Sequence, residues 1–147
     1  MAFLETMEKY LSDSEIAHER IGEGNIVSAI IDKDADYRFF FFSPEQRTAL
    51  SSAEFPFPIS VTASQTMLEA VNALNAGSNL GKFCLSPSTQ TIRFSCAIYF
   101  DEADAEETAE YLFEYTCSVL QTLGDLLLEL SVGKLDLDGF LREVQRA

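Results

Sequence analysis

The single histidine, His18, is the first side chain to test for chemistry, because an imidazole can act as a general acid or base near neutral pH. It lies between Ala17 and Glu19 in the polar segment Glu15 to Gly24. Catalysis would also require an orienting carboxylate and a nucleophile within hydrogen-bond reach, and the sequence contains no nucleophile elbow or similar motif. We therefore interpret His18 as a surface residue and predict a protein that is not an enzyme, with no catalytic residue.

Three aspartates, Asp32, Asp34 and Asp36, alternate across a predicted turn, as acidic residues do at the start of a calcium-binding loop. Such a loop needs a glycine at its sixth position and a glutamate at its end. The sequence has no glycine there, and Phe42 and Ser43 stand near the place of the glutamate. Aspartate is common in ordinary turns because its side chain bonds to nearby backbone. We predict no metal site.

No spacing in the chain fits a cofactor. Gly77, Gly81 and Lys82 lack the order of a phosphate-binding loop, and a strand is predicted where that loop needs a helix. The cysteines are odd in number and widely spaced in apolar segments, which fits neither a disulfide framework nor a metal-ligand pair. They are Cys84, Cys96 and Cys117. We expect buried free thiols and no cofactor.

A net charge of −14, from 24 acidic and 10 basic residues, predicts that nucleic acid is not a partner. The bases are not clustered, since after Arg93 the next is Lys134, and an acidic run lies between them. That run comprises Asp101, Glu102, Asp104, Glu106, Glu107, Glu110 and Glu114. It is either a solvated face that complements a helix dipole or a docking patch for a basic partner.

The length of 147 residues fits a single domain over residues 1–147. With 47% hydrophobic residues the chain can bury a core, but its apolar runs are far shorter than a membrane span, so we expect no membrane partner. Met1 to Leu4 is followed by Glu5, without the positive start and apolar stretch of a secretory signal peptide. These features predict a cytoplasmic protein.

A long amphipathic helix from Asp104 to Gly133 organises the predicted fold. Its apolar residues recur at the three-and-four spacing of one helical face. They are Ala109, Leu112, Phe113, Leu120, Leu123, Leu127 and Leu130. Asp104 and Glu107 have the spacing of a capping box, and Gly133 can end the helix.

A second apolar stripe, Tyr111, Tyr115, Val119 and Leu126, widens the buried arc of this helix. Either other parts of the chain cover it, or it is a partner or dimer contact.

The remaining segments predict an α+β fold in which helices pack on an antiparallel five-stranded sheet. The order is helix, three strands, helix, two strands, long helix and short closing helix. The predicted strands are 25–32, 37–42, a third entered at Pro56 and Pro58 and running to Ala63, 82–86 and 91–100. The stretch 45–54 is predicted as a loop or a short helix.

Four consecutive phenylalanines, Phe39 to Phe42, lie in the second of these strands. Consecutive side chains of a strand point to opposite faces, so Phe40 and Phe42 must share the face of Arg38, away from the core. On the last strand Tyr99 has the same outward parity as Arg93. Because an exposed aromatic strand invites aggregation, either the first or last helix covers this face or another molecule does.

The run Asn72-Ala-Leu-Asn-Ala-Gly-Ser-Asn-Leu-Gly-Lys-Phe-Cys-Leu85, then Ile92-Arg-Phe and an acid-capped long helix, resembles the YbjN-type domain. The resemblance covers about Asn25 to Val132. It implies the fold of the type III secretion chaperones and a small acidic, dimeric domain whose sheet or helix faces bind other proteins. YbjN-type proteins are described as sensory transduction regulators, without an established reaction.

We therefore predict a non-enzymatic protein-interaction or chaperone-like module, a homodimer, that binds a protein partner through apolar surface. The candidate partner-surface residues are Phe40, Phe42, Tyr99, Tyr111 and Tyr115. The alternative is a small-molecule sensor with a pocket between the sheet and the long helix, lined by Phe94, Phe113 and similar residues.

Overall fold

The computed structural model describes residues 2–32, 36–45, 47–78, 80–86 and 88–146. The described α-helices are α1 Phe3–Asp13, α2 Ser64–Ala76, α3 Ala105–Ser131 and α4 Leu137–Arg146. The described strands are β1 His18–Ile21, β2 Ile26–Asp32, β3 Asp36–Phe42, β4 Thr48–Pro58, β5 Lys82–Leu85 and β6 Thr91–Tyr99. They form one sheet in the order β1-β2-β3-β4-β6-β5, with every neighbouring pair antiparallel. The α+β class with helices packed on an antiparallel sheet is confirmed.

The prediction of five strands is wrong, because the supposed polar connection before β2 contains β1. Its sequence, His18 to Ile21, is polar except for its last residue, so it carries no alternating apolar signal. Pairing with β2 forms it instead, through the register that joins Ile21 to Ile26. The two glycines of the connecting turn, Gly22 and Gly24, have φ values of +56° and +83°, a conformation that glycine adopts without strain.

The third predicted strand is displaced along the chain. β4 runs from Thr48 to Pro58, through the stretch predicted as a loop or a short helix, and Val61–Ala63 is a 3-10 turn. The alternation that suggested a later strand was misleading, since Val61 is 85% exposed. β4 carries alanine and serine on its buried side, and these have little intrinsic strand preference. Their small size lets α3 pack closely on the strand.

The helices that pack on the sheet do so on one side. We call this the covered face. Its buried strand residues include Val27, Ala29, Phe39, Phe41, Ala49, Ser51, Ala53, Phe55, Phe83, Ile92, Phe94 and Cys96. Phe113 of α3 lies 5.8 Å from Phe39 and 6.4 Å from Phe41 between ring centroids. α1 adds Phe3, Met7 and Leu11 to the same core. Burying each large apolar side chain here contributes about 1.5–3 kcal/mol to folding.

The long helix is confirmed, but its predicted capping box is wrong. Asp104 precedes α3, and its side chain makes no capping hydrogen bond. The Thr108 hydroxyl instead donates to the Asp104 carbonyl oxygen at 2.8 Å. The exposed Glu106 and Glu107 in the first turn complement the positive end of the helix dipole. In the second stripe, Tyr115, Val119 and Leu126 pack against the core, whereas Tyr111 is 49% exposed.

One edge of the sheet is closed by a side chain. The Asn75 amide of α2 donates to the Phe83 carbonyl oxygen at 2.8 Å, and its oxygen accepts from the Phe83 backbone nitrogen at 2.7 Å. The amide thus takes the place of a further strand beside β5. Such pairing blocks edge-to-edge association at β5. Among the described helices, none is both long and apolar enough to cross a membrane.

Candidate interaction surface

The side of the sheet away from the helices carries both apolar and polar residues, and we call it the open face. It carries Arg38, Phe40 and Phe42 on β3, Leu50, Ser52 and Glu54 on β4, and Arg93, Ser95, Ala97 and Tyr99 on β6. Of the described helices, none packs on this side, so the alternative in which a helix of the chain covers Phe40 and Phe42 is wrong. The predicted parity of the four phenylalanines is confirmed.

Strand register brings the open-face residues together in rows. Phe42 is paired with Leu50, and Leu50 with Ala97, which forms an apolar row across three strands. Phe40 is paired with Ser28 on one side and with Ser52 on the other. The residues of each row are far apart in the sequence, and strand pairing brings them next to one another.

The apolar side chains of the open face are incompletely buried. Phe40, Phe42 and Leu50 are half-buried, Ile30 is 50% exposed and Tyr99 is 84% exposed. A hollow of about 390 Å³ near β1 is lined in part by Ile21, Ile30, Arg38 and Phe40. A folded chain gains stability by removing such surface from water. The open face therefore has the character of a contact surface.

Charge on the open face is balanced. The Arg93 guanidinium lies 3.3 Å from a carboxylate oxygen of Glu54, and Arg38 pairs with Glu54 in the sheet register. Glu19 of β1 is exposed near this face. The acidic run at residues 101–114 lies at and inside the start of α3, on the helical side. The chain thus separates its negative charge from its most apolar strand surface.

The five candidate partner-surface residues form two groups. Phe40, Phe42 and Tyr99 lie together on the open face, whereas Tyr111 and Tyr115 lie on α3. The two tyrosine rings stack with an interplanar angle of 5° and a centroid distance of 5.8 Å.

Tyr115 has a role within the fold. Its hydroxyl donates to the Leu80 carbonyl oxygen at 2.9 Å, and its ring lies 6.1 Å from that of Phe94. Burial raises the pKa of the Tyr115 hydroxyl, because it disfavours the charged phenolate.

The residues considered for chemistry are scattered. His18 is half-buried in β1, with its ring Nδ1 2.9 Å from the Ile16 carbonyl oxygen. Asp34 lies outside the described residues. In the described part of the chain no three histidine, cysteine, aspartate or glutamate side chains come together as metal ligands.

The prediction that all three thiols are buried is wrong for one of them. Cys84 is exposed, because it falls on the outward parity of β5 opposite Arg93. Cys117 is half-buried, and Cys96 is 1% exposed. Burial raises the pKa of the Cys96 thiol to about 11.

A cleft lies between the sheet and α3, where the small-molecule-sensor alternative predicted a pocket. Its volume is about 330 Å³, and it lies beside Phe39 on the covered face. The sheet wall is formed by Ile31, Tyr37, Phe39, Pro56 and Phe57, and the helix wall by Cys117, Leu120, Gln121, Gly124, Asp125 and Leu128. The predicted lining residues Phe94 and Phe113 are not among these. Gly124, in the middle of a long helix, is the sequence signal that could have indicated the position of this cleft, because a Cβ there would collide with the Tyr37 hydroxyl.

These features define an open-faced α+β protein whose sheet offers an apolar surface on the side away from its helices. The family model YbjN, with the description "Putative bacterial sensory transduction regulator", matches residues 4–126. The chain belongs to the YbjN family, as the resemblance in its sequence predicted. The match includes all six strands and most of α3, whereas α4 lies beyond it. Comparison with curated proteins and with solved structures gave no significant match.

Proposed function

We propose that this protein is a non-enzymatic, chaperone-like regulatory module of the cytoplasm that binds proteins through its open face. In the absence of another partner, a second copy of the chain occupies that face and makes a homodimer. The observation that carries this proposal is the apolar row of Phe42, Leu50 and Ala97, which no described helix covers. Phe42 and Leu50 are half-buried and Ala97 is exposed.

Charge supports a second copy as the occupant. Two chains that each carry −14 repel one another through most of their surfaces. The open face avoids this, because its arginines are balanced by Glu19 and Glu54 and the acidic run lies on the helical side. Two open faces can therefore meet with little repulsion.

The size of the face is also sufficient. At about 3.3 Å per residue and about 4.8 Å between strands, the six strands present roughly 650 Å² of projected area. Side chains raise the accessible area above that figure. A standard stable interface buries about 800 Å² per partner. A dimer formed through the open face falls in this range.

The first test is the mass of the purified chain in solution. Sedimentation or light scattering over a range of concentrations should give twice the 16.4 kDa of one chain. Phe42→Ser should raise the dimer dissociation constant by roughly 30-fold or more, because truncating a hot-spot residue of an interface costs at least about 2 kcal/mol. A wild-type chain that stays monomeric at high micromolar concentration would overturn the homodimer.

Two matched variants show which surface is used. Val61→Ser removes an apolar side chain that is 85% exposed and lies outside the sheet, so it should leave the dimer intact. Tyr111→Ser removes the exposed aromatic side chain of α3 and should also leave it intact. A dimer that Tyr111→Ser dissociates and Phe42→Ser does not would place the interface on α3.

Small-molecule sensing is a second candidate function. The cleft between the sheet and α3 favours it, since its volume of about 330 Å³ falls within the range of known ligand sites and its walls are mostly apolar. The cleft and the open face lie on opposite sides of the sheet. The two functions are therefore testable independently.

A further inference from the structure

The cleft between the sheet and α3 has a chemical character that limits what can bind there. Tyr37 and Phe57 contribute aromatic rings to the sheet wall, and Leu120 and Leu128 contribute aliphatic surface to the helix wall. Polar side-chain groups come from Gln121 and Asp125 on α3 and from Tyr37, whose hydroxyl lies close to Gly124 of α3. A ligand would thus need an apolar body with one polar end directed towards the helix.

The charge around the cleft favours some polar groups of a ligand over others. Asp125 is exposed beside the cleft, and the lining residues within the described part of the chain include no lysine, arginine or histidine. A carboxylate or phosphate would be repelled by Asp125 and would find no cation among the described lining residues. An ammonium group would be attracted by Asp125 and by the net charge of the chain.

We infer that the cleft binds small apolar amines, with the apolar body between Tyr37 and Leu120 and the ammonium group beside Asp125. This inference rests on the sensor candidate and names the ligand class of that site. The volume of about 330 Å³ is near the lower limit for ligand sites and selects a single-ring amine over a long lipid chain. Binding there does not require the open face.

The test compares three probes with the same phenyl body: 2-phenylethylamine, 2-phenylethanol and 3-phenylpropionate. Each is titrated into the full-length chain at pH 7 while backbone amide resonances of residues 117–128 are followed by NMR. We expect the amine to bind about two- to fivefold more tightly than the alcohol, since an ion pair at an exposed site has a modest effect. The carboxylate should bind more weakly than the alcohol.

Variants assign the preference to the named residues. Asp125→Asn should bring the amine and the alcohol to equal affinity, whereas Glu110→Gln, which removes an exposed charge elsewhere on α3, should keep the preference. Leu128→Trp places a larger side chain at a position that is 40% exposed and should weaken all three probes without disturbing the core.

The outcomes separate the two levels of the inference. If none of the probes shifts the resonances of residues 117–128, both the sensor candidate and the amine site are wrong. If the alcohol or the carboxylate binds as well as the amine, the cleft is a ligand site but the ligand class is wrong. If Glu110→Gln abolishes the preference as fully as Asp125→Asn does, the preference reflects the net charge of the chain and the assignment to Asp125 is wrong.

Discussion

The two faces of the sheet are built from the same strands, and often from adjacent residues, yet they differ in what lies against them. Phe39 and Phe41 are fully buried under α3, whereas Phe40 and Phe42 are half-buried on the other side. On β4 the covered face has small residues that admit a helix, and the open face has Leu50. The covered face is buried by helices of the same chain, whereas the open face leaves apolar side chains partly exposed.

The largest expected difference between the faces is in core packing. Phe39→Ala should lower the free energy of unfolding by about 3–5 kcal/mol, because it leaves a cavity beneath α3. The neighbouring change Phe40→Ala should cost roughly 1 kcal/mol in the dilute monomer, since that ring is only half-buried. Urea denaturation at low protein concentration measures both, and equal losses would show that the open face is part of the core.

The two stacked tyrosines extend the comparison to the helical layer. Tyr115→Ser should cost about 2–3 kcal/mol of stability, because the ring packs on Phe94 and the hydroxyl bonds to the Leu80 carbonyl oxygen. Tyr111→Ser should cost less than about 1 kcal/mol, since Tyr111 is 49% exposed. Thermal unfolding of the two variants compares them. A stable Tyr115→Ser chain with altered association would make Tyr115 a contact residue.

Buried hydroxyl pairs give a smaller difference. Ser51 and Thr116 lie 2.7 Å apart between their side-chain oxygens on the covered face, where both are 0% exposed. Thr116→Val should cost about 1–3 kcal/mol, because it leaves the Ser51 hydroxyl without that partner. Ser95→Ala removes the 3.2 Å bond to Ser52 on the open face and should cost less than about 1 kcal/mol. Denaturant midpoints for both variants measure the two losses. A larger loss for Ser95→Ala than for Thr116→Val would show that the open face is the more tightly packed.

The smallest expected effect is the pH dependence of stability that arises from the buried thiol of Cys96. The Cys96 thiol has a pKa of about 11 in the folded chain, compared with an ordinary value of about 9. Its contribution to stability is therefore fully present below pH 9 and declines as the pH rises from 9 towards 11, because only the unfolded chain loses that proton. Urea midpoints at pH 8, 9 and 10 measure the decline, and Cys96→Ala should reduce it. The raised pKa values of Tyr10 and Tyr115 add to the loss above pH 10.

The same thiols differ in access. Cys84 is exposed and lies outward on β5, so a thiol reagent should modify it in the native chain well before Cys96. All three cysteines should react once the chain is unfolded. Mass spectrometry of peptides after brief labelling identifies the modified residue. Labelling of Cys96 at the rate of Cys84 would mean that the covered face opens readily.

Much of the fold is legible in local patterns, and the errors have a common physical cause. The helices were predictable because apolar residues recur along one face, as in the closing helix, where Phe140 is fully buried and Asp136 accepts a bond from the Gly139 backbone nitrogen at 2.7 Å. β1 and most of β4 were missed because neither has an apolar alternation of its own. β1 forms through its pairing with β2. β4 has small residues where α3 packs on it, so it lacks the apolar alternation of a typical strand.

The candidate surface was predictable in part. The parity of β3 placed Phe40 and Phe42 on the side of Arg38, and the structure confirms that side. The sequence placed Tyr99 on the outward side of β6, but it did not reveal that β4 lies between β3 and β6 or that Tyr115 is engaged with Leu80. Those facts depend on how strands from distant parts of the chain pair and on where α3 crosses them.

The alternation of β3, the amphipathic stripes of the helices and the excess of negative charge follow from residue type and local spacing. The face of the sheet that the helices cover, the rows of the open face and the position of the cleft beside Gly124 follow only from the way the elements pack. The reason is that a strand offers apolar side chains to both sides equally, and only the packing of other elements selects the side that is removed from water.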